Sequence, residues 1–143
     1  MSADPETPAS PLDDIRRKLR KYPQLAVVDE GDAITVKATT TDGFDVSFFC
    51  DGDGYTVGFA GWHEQFKRAE RDRALECFAF GLSDRARLRV QSRGGLDYHW
   101  TLEVLKEGEW RSDLMTSLLF FPFWRKKEVR YLRNSVIAVE DIP

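Results

Sequence analysis

At 143 residues, with 42% apolar and 31% charged side chains, the chain is long enough to close one core and too apolar to remain disordered. Its net charge of −3 argues against nucleic acid as the partner, and two cysteines, Cys50 and Cys77, are too few for a disulfide framework or a cysteine-based zinc site. No apolar run approaches the roughly 20 residues of a membrane helix, and the first residues lack the basic start and apolar stretch of a secretory signal, so a cytoplasmic protein without a transmembrane segment is expected.

Residues 1–9 carry Pro5 and Pro8 and almost no large apolar side chain, which predicts a disordered tail ahead of a single domain over 10–143. Ser10, Pro11 and Asp13 then form a helix start: a hydroxyl cap, a proline at the first position and an acid in the first turn. Leu12, Ile15, Leu19 and Tyr22 supply the apolar stripe of this helix. Its acids precede its bases, as the helix dipole prefers, and Pro23 ends it.

Four strands are expected next, at Leu25–Asp29, Ala33–Thr40, Phe44–Cys50 and Tyr55–Ala60, separated by glycine-containing turns. A three-residue turn at Thr41–Gly43 pairs Ala38 with Val46, Val36 with Phe48 and Ile34 with Cys50. A Gly52-Asp53 turn pairs Cys50 with Tyr55, Phe48 with Val57 and Val46 with Phe59. A Glu30-Gly31 turn sets Leu25 and Val27 opposite Val36 and Ile34. Each pairing keeps the apolar side chains on one shared face, which a slip of one residue would split.

Gly61–Gly81 reads as one central helix covering that face: Trp62, Phe66, Ala69, Cys77 and Phe80 follow a 3.6-residue period, and Gly81 suits a left-handed helix end. A hairpin follows. Arg85, Arg87, Arg89, Gln91 and Arg93 alternate with Ala86, Leu88 and Val90. Matching the apolar residues across the Gly94-Gly95 turn, through a loop of three or five residues, sets Val90 against Trp100, Leu88 against Leu102 and Ala86 against Val104. On the opposite face Arg87 then meets Glu103, Arg89 meets Thr101 and Gln91 meets His99. After a turn at Glu107–Glu109, Ser117–Trp124 is a short buried strand or loop in which Pro122 forbids a fully paired central strand. Glu128–Asn134 fits strand or helix, and Ser135–Val139 is strand-like.

Few residues carry a chemical motif. Asp51-Gly52-Asp53-Gly54 would need glycine at Thr56 and glutamate at Trp62 to be a calcium loop, and His63-Glu64 lacks the second zinc-protease histidine because Lys67 stands in its place. No metal site or cofactor is therefore expected. His63, Glu64 and His99 are the candidate acid–base residues, should the two halves of the chain bring them together. The candidate partner-binding residues are Arg85, Arg87 and Arg89, as an arginine row for an acidic protein or anionic ligand, and Phe121, Phe123 and Trp124 for self-association.

These elements predict an α+β domain: a largely antiparallel sheet of about six to eight strands, packed by an N-terminal and a central helix. The order helix, strands, helix, strands resembles that of the secretion-chaperone-like fold. The expected function is a non-enzymatic protein-interaction module acting as a homodimer. The alternative is a small-molecule-binding protein or enzyme with a pocket near Trp62, His63, His99 and Trp100.

Overall fold

The computed structural model describes residues 10–117 and 125–134, with residues 113–117 as backbone alone. The N-terminal tail, the aromatic run with Phe121, Phe123 and Trp124, and the strand expected at Ser135–Val139 lie outside the described residues.

Helix α1 (Pro11–Leu19) starts as its sequence dictates. The Ser10 hydroxyl accepts from the Leu12 N–H at 3.2 Å, Pro11 occupies the first turn, and Leu12, Ile15 and Leu19 are buried. Arg16 ties the helix to the sheet: its guanidinium donates to both Asp29 carboxylate oxygens, at 2.7 and 3.0 Å, and to the Gly31 carbonyl at 2.9 Å.

A five-stranded antiparallel meander follows: β1 (Val27–Asp29), β2 (Ala33–Val36), β3 (Val46–Cys50), β4 (Gly54–Phe59) and β5 (Trp62–Lys67). After a 3₁₀ turn at Arg68–Glu70, helix α2 (Arg71–Gly81) crosses the meander and packs on it. The second sheet has the order β8 (Glu109–Ser117), β7 (Leu96–Lys106), β6 (Ala86–Arg93), β9 (Lys127–Arg133). The fold is thus α+β, with nine strands among the described residues arranged as two antiparallel sheets. One apolar cluster joins them: Ile34, Val46, Phe48, Val57, Phe59 and Trp62 of the first sheet are fully buried together with Ala86, Leu88 and Val90 of the second.

The helix expected over Gly61–Gly81 forms only in its second half. Trp62 and Phe66 are four residues apart, a spacing that suits a helical stripe and equally places both on one face of a strand. Pairing decides. After the two-residue turn Ala60-Gly61, with Ala60 at φ +53°, β5 runs back along β4 from Phe59↔Trp62 to Gly54↔Lys67. This satisfies the backbone and stacks Trp62 on Phe59, ring centroids 4.6 Å apart. Gly81 lies inside α2 instead of in a left-handed cap. Its value is close approach, since a Cβ there would stand 2.3 Å from a Phe59 ring carbon.

Two registers differ from expectation by two residues, which preserves every side chain's face. Val36 pairs with Val46 and not Phe48, and Val27 pairs with Val36 and not Ile34. A tight turn forms at Thr40–Gly43, where the Gly43 N–H donates to the Thr40 carbonyl at 3.1 Å, but the strands do not pair up to it because distant groups claim the neighbouring backbone. The Asn134 side chain accepts from the Phe44 N–H and donates to the Phe44 carbonyl, and the Arg133 N–H donates to the Asp42 carbonyl at 2.7 Å. Phe44 is thereby drawn into the core, against Phe59. The β3–β4 register is as expected at all three apolar pairs. In β6–β7 all six expected pairs form, and a bulge at Gln91/Ser92 lets a two-residue Gly94-Gly95 turn replace the longer loop. Of the two options for Glu128–Asn134, the chain takes the strand, β9. No helix among the described residues is long and apolar enough to cross a membrane.

Candidate functional site

Along β6 the residues alternate, Ala86, Leu88 and Val90 toward the core and Arg87, Arg89 and Gln91 away from it. Cross-strand register extends this outward face over three strands. Arg87 stands between Glu103 of β7 and Arg133 of β9, Arg89 between Thr101 and Tyr131, and Gln91 between His99 and Val129.

Arg87 is the fixed point of the face. Its Nε donates to a Glu103 carboxylate oxygen at 2.6 Å, and its guanidinium carbon lies 4.3 Å from the ring centroids of both Trp110 and Tyr131. A planar cation held between two π-faces and paired to a buried carboxylate has little freedom left. Arg133, directly across the strand pair from Arg87, approaches Trp110 at 5.0 Å and donates to the Asp84 carbonyl. Two like charges opposite one another repel. The shared Trp110 ring and the Glu103 carboxylate offset that repulsion.

Around this point several bases lack an acid. Among the described residues, Arg89, Lys127 and Arg133 have no carboxylate within ion-pair distance. Tyr131 and Val129 beside them are 48% and 41% exposed. Burial, and then the charge of Arg89, push His99 below the ordinary imidazole value, so the neutral ring is favoured here. The Thr101 hydroxyl, across from Arg89, is buried with no hydrogen-bond partner among the described residues.

The remaining candidates are dispersed. Arg85 leaves the row: it donates to the Leu105 carbonyl at 3.3 Å and leans over the Phe80 ring. Arg93 closes the far end of the face, donating to the Arg125 carbonyl at 2.8 Å and the Tyr98 hydroxyl at 3.3 Å. Arg130 is neutralised by a two-pronged contact with Asp97, 2.6 Å at each prong. His63, Glu64 and His99 do not form one constellation. His63 and Glu64 point to opposite faces of β5, and His99 belongs to the outward face of the other sheet. Trp62 is fully buried against Phe59, and Trp100 packs on the Gly61 backbone so closely that a Cβ there would fall 2.2 Å from its ring. The space expected to hold a pocket is filled by these rings.

No family model, curated protein or solved structure matches the chain. What the site can do therefore rests on its own chemistry. Two of the cavities among the described residues are lined by none of Arg87, Arg89 and Tyr131. One is a groove of about 260 Å³ between α1 and α2, lined by Ile15, Leu19, Leu75 and Leu82. The other is a cleft of about 300 Å³ between α2, β5 and the β7–β8 hairpin. Neither histidine lines either one. Sequence reasoning missed Trp110, Tyr131 and Arg133 as parts of the outward face. The alternation of Val129, Tyr131 and Arg133 carried that signal, but a helical reading of the same seven residues obscured it.

Proposed function

We propose that the protein is a non-enzymatic binding module that holds an acidic partner against the outward face of its second sheet. The observation that supports this reading is the group of bases, Arg89, Arg133 and Lys127, that share one face without a carboxylate among the described residues. Guanidinium groups on a rigid sheet can take carboxylates two-pronged, and the exposed Tyr131 and Val129 add apolar contact. An acidic peptide seated there also relieves the Arg87–Arg133 repulsion, so binding and local stability gain together. Self-association through Phe121, Phe123 and Trp124 is the second part of the reading, and sedimentation of the full chain as a monomer at tens of micromolar removes it.

Titration of a glutamate-rich peptide into the protein at low salt, followed by tryptophan fluorescence, tests the binding face. Binding should weaken as salt rises and should be lost in Arg89→Glu combined with Lys127→Glu. Unchanged binding in that variant overturns the proposal. Arg87 is left intact because its loss would disturb the packing of Trp110 and Tyr131.

A further inference from the structure

The cleft between α2, β5 and the β7–β8 hairpin is independent of the arginine face and has the make-up of a ligand site. Its floor is apolar, built from Phe66 of β5, Phe80 of α2 and Leu102 and Val104 of β7. Its volume of about 300 Å³ falls at the small end of ligand pockets, which run from roughly 300 to 1,000 Å³. The sheet alternation places the polar groups. Lys106 follows Val104 on the core-side face of β7, and Arg111 pairs with Val104 across the hairpin, so both bases stand at the end of the apolar floor.

The charges at the mouth are unevenly satisfied. Arg73 on the α2 wall is held by Glu70 at 2.7 Å. Arg111 meets Glu107 and Glu109 only at 3.9 and 3.8 Å, too long for hydrogen bonds, and its side chain is 56% exposed. Lys106 has no carboxylate within ion-pair distance among the described residues. Glu76 of α2 and Glu64 of β5 also line the cleft. An anionic head is therefore attracted to the hairpin side and repelled from the helix side, which orients any ligand whose body fills the floor.

We propose that this cleft binds a small amphipathic monocarboxylate, with its apolar body on Phe66, Phe80 and Leu102 and its carboxylate between Lys106 and Arg111. The cleft carries its own reporter. Cys77, which is in no disulfide, lines it, whereas Cys50, the other cysteine, ends β3 away from it.

The test uses the full chain with octanoate as probe and octanol and octylamine as comparators. Octanoate should slow modification of Cys77 by a thiol reagent at least several-fold and leave Cys50 unaffected, with Cys50→Ser isolating the signal. Binding, followed by amide chemical shifts, should concentrate at Cys77, Phe80, Lys106 and Arg111 and weaken about ten-fold in Lys106→Ala combined with Arg111→Ala, about 1.4 kcal/mol. Both substitutions are at exposed positions, and circular dichroism confirms that the variant is folded. The proposal is overturned if octanoate does not bind at millimolar concentration, or if octanol or octylamine binds as well. It also falls if the double variant binds unchanged, or if Cys77 is unreactive in the free protein or reacts at the same rate with and without octanoate.

Discussion

The side chain of Asn134 completes the backbone of Phe44, 90 residues earlier, by accepting from its N–H at 3.0 Å and donating to its carbonyl at 2.9 Å. The same amide also donates to the Gly81 carbonyl at the end of α2, at 3.1 Å, so one buried side chain joins the β2–β3 connection, α2 and the end of β9. Asn134→Ala leaves buried backbone groups unsatisfied and should cost about 2–3 kcal/mol. Asn134→Asp, which keeps the acceptor and loses both donations, should also destabilise. Urea unfolding midpoints measure both, and a loss below about 0.5 kcal/mol for the alanine variant would contradict the structural role.

Glycine inside a helix normally costs about 1 kcal/mol relative to alanine, so Gly81→Ala would ordinarily stabilise. Here the added Cβ would meet the Phe59 ring at 2.3 Å, and Phe59 is fully buried beneath the helix. Overpacking should dominate, and the variant should lose about 1–3 kcal/mol. Thermal melting beside a second substitution in the same helix, Asp72→Ala at an exposed position, separates packing from propensity.

Acid should weaken the α1–sheet junction over a defined range. The Arg16 guanidinium beside Asp29, with the Gly31 N–H, holds that carboxyl down at about 2. In the unfolded chain it returns to roughly 3.9. A lowered folded value means that the stabilisation is complete above the unfolded value and is lost as pH falls through the folded one. Asp14, lowered by its Arg71 partner, acts in the same direction. Stability measured by urea at steps from pH 5 to 2 should therefore fall less steeply in Asp29→Asn than in the wild type. Parallel curves would show that the Arg16–Asp29 contact contributes nothing in solution.

His99 reports on Arg89. Burial first, and the Arg89 charge second, keep the imidazole neutral below its ordinary range. Above the unfolded value both states are neutral and nothing is lost. As pH falls below it the unfolded chain takes the proton first, so stability declines on acidification. Arg89→Ala should raise the His99 titration midpoint part of the way toward 6.5, the remainder being held by burial. A proton NMR titration that shows no change would place the Arg89 charge elsewhere.

Local chemistry was enough to specify α1, with its Ser10 cap and Pro11 start, because helix capping involves neighbours in the chain. It was also enough for the β3–β4 register and for all six apolar and polar pairs expected in β6–β7, since alternation and a short turn leave one register that keeps both faces intact. It could not decide Trp62–Lys67, where four-residue spacing serves helix and strand equally and the free edge of β4 chose the strand. Nor could it place the β2–β3 connection, whose backbone bonds go to Asn134 and Arg133. The outward arginines were legible as a row along one strand. Their surroundings were not: Trp110 and Tyr131 reach Arg87 from two other strands, and only the packing of β8 and β9 around β6 and β7 brings those rings to one guanidinium. Contacts between residues close in the chain are set by its local pattern, while contacts across sheets depend on which elements become neighbours, and that is settled by burial of the whole core.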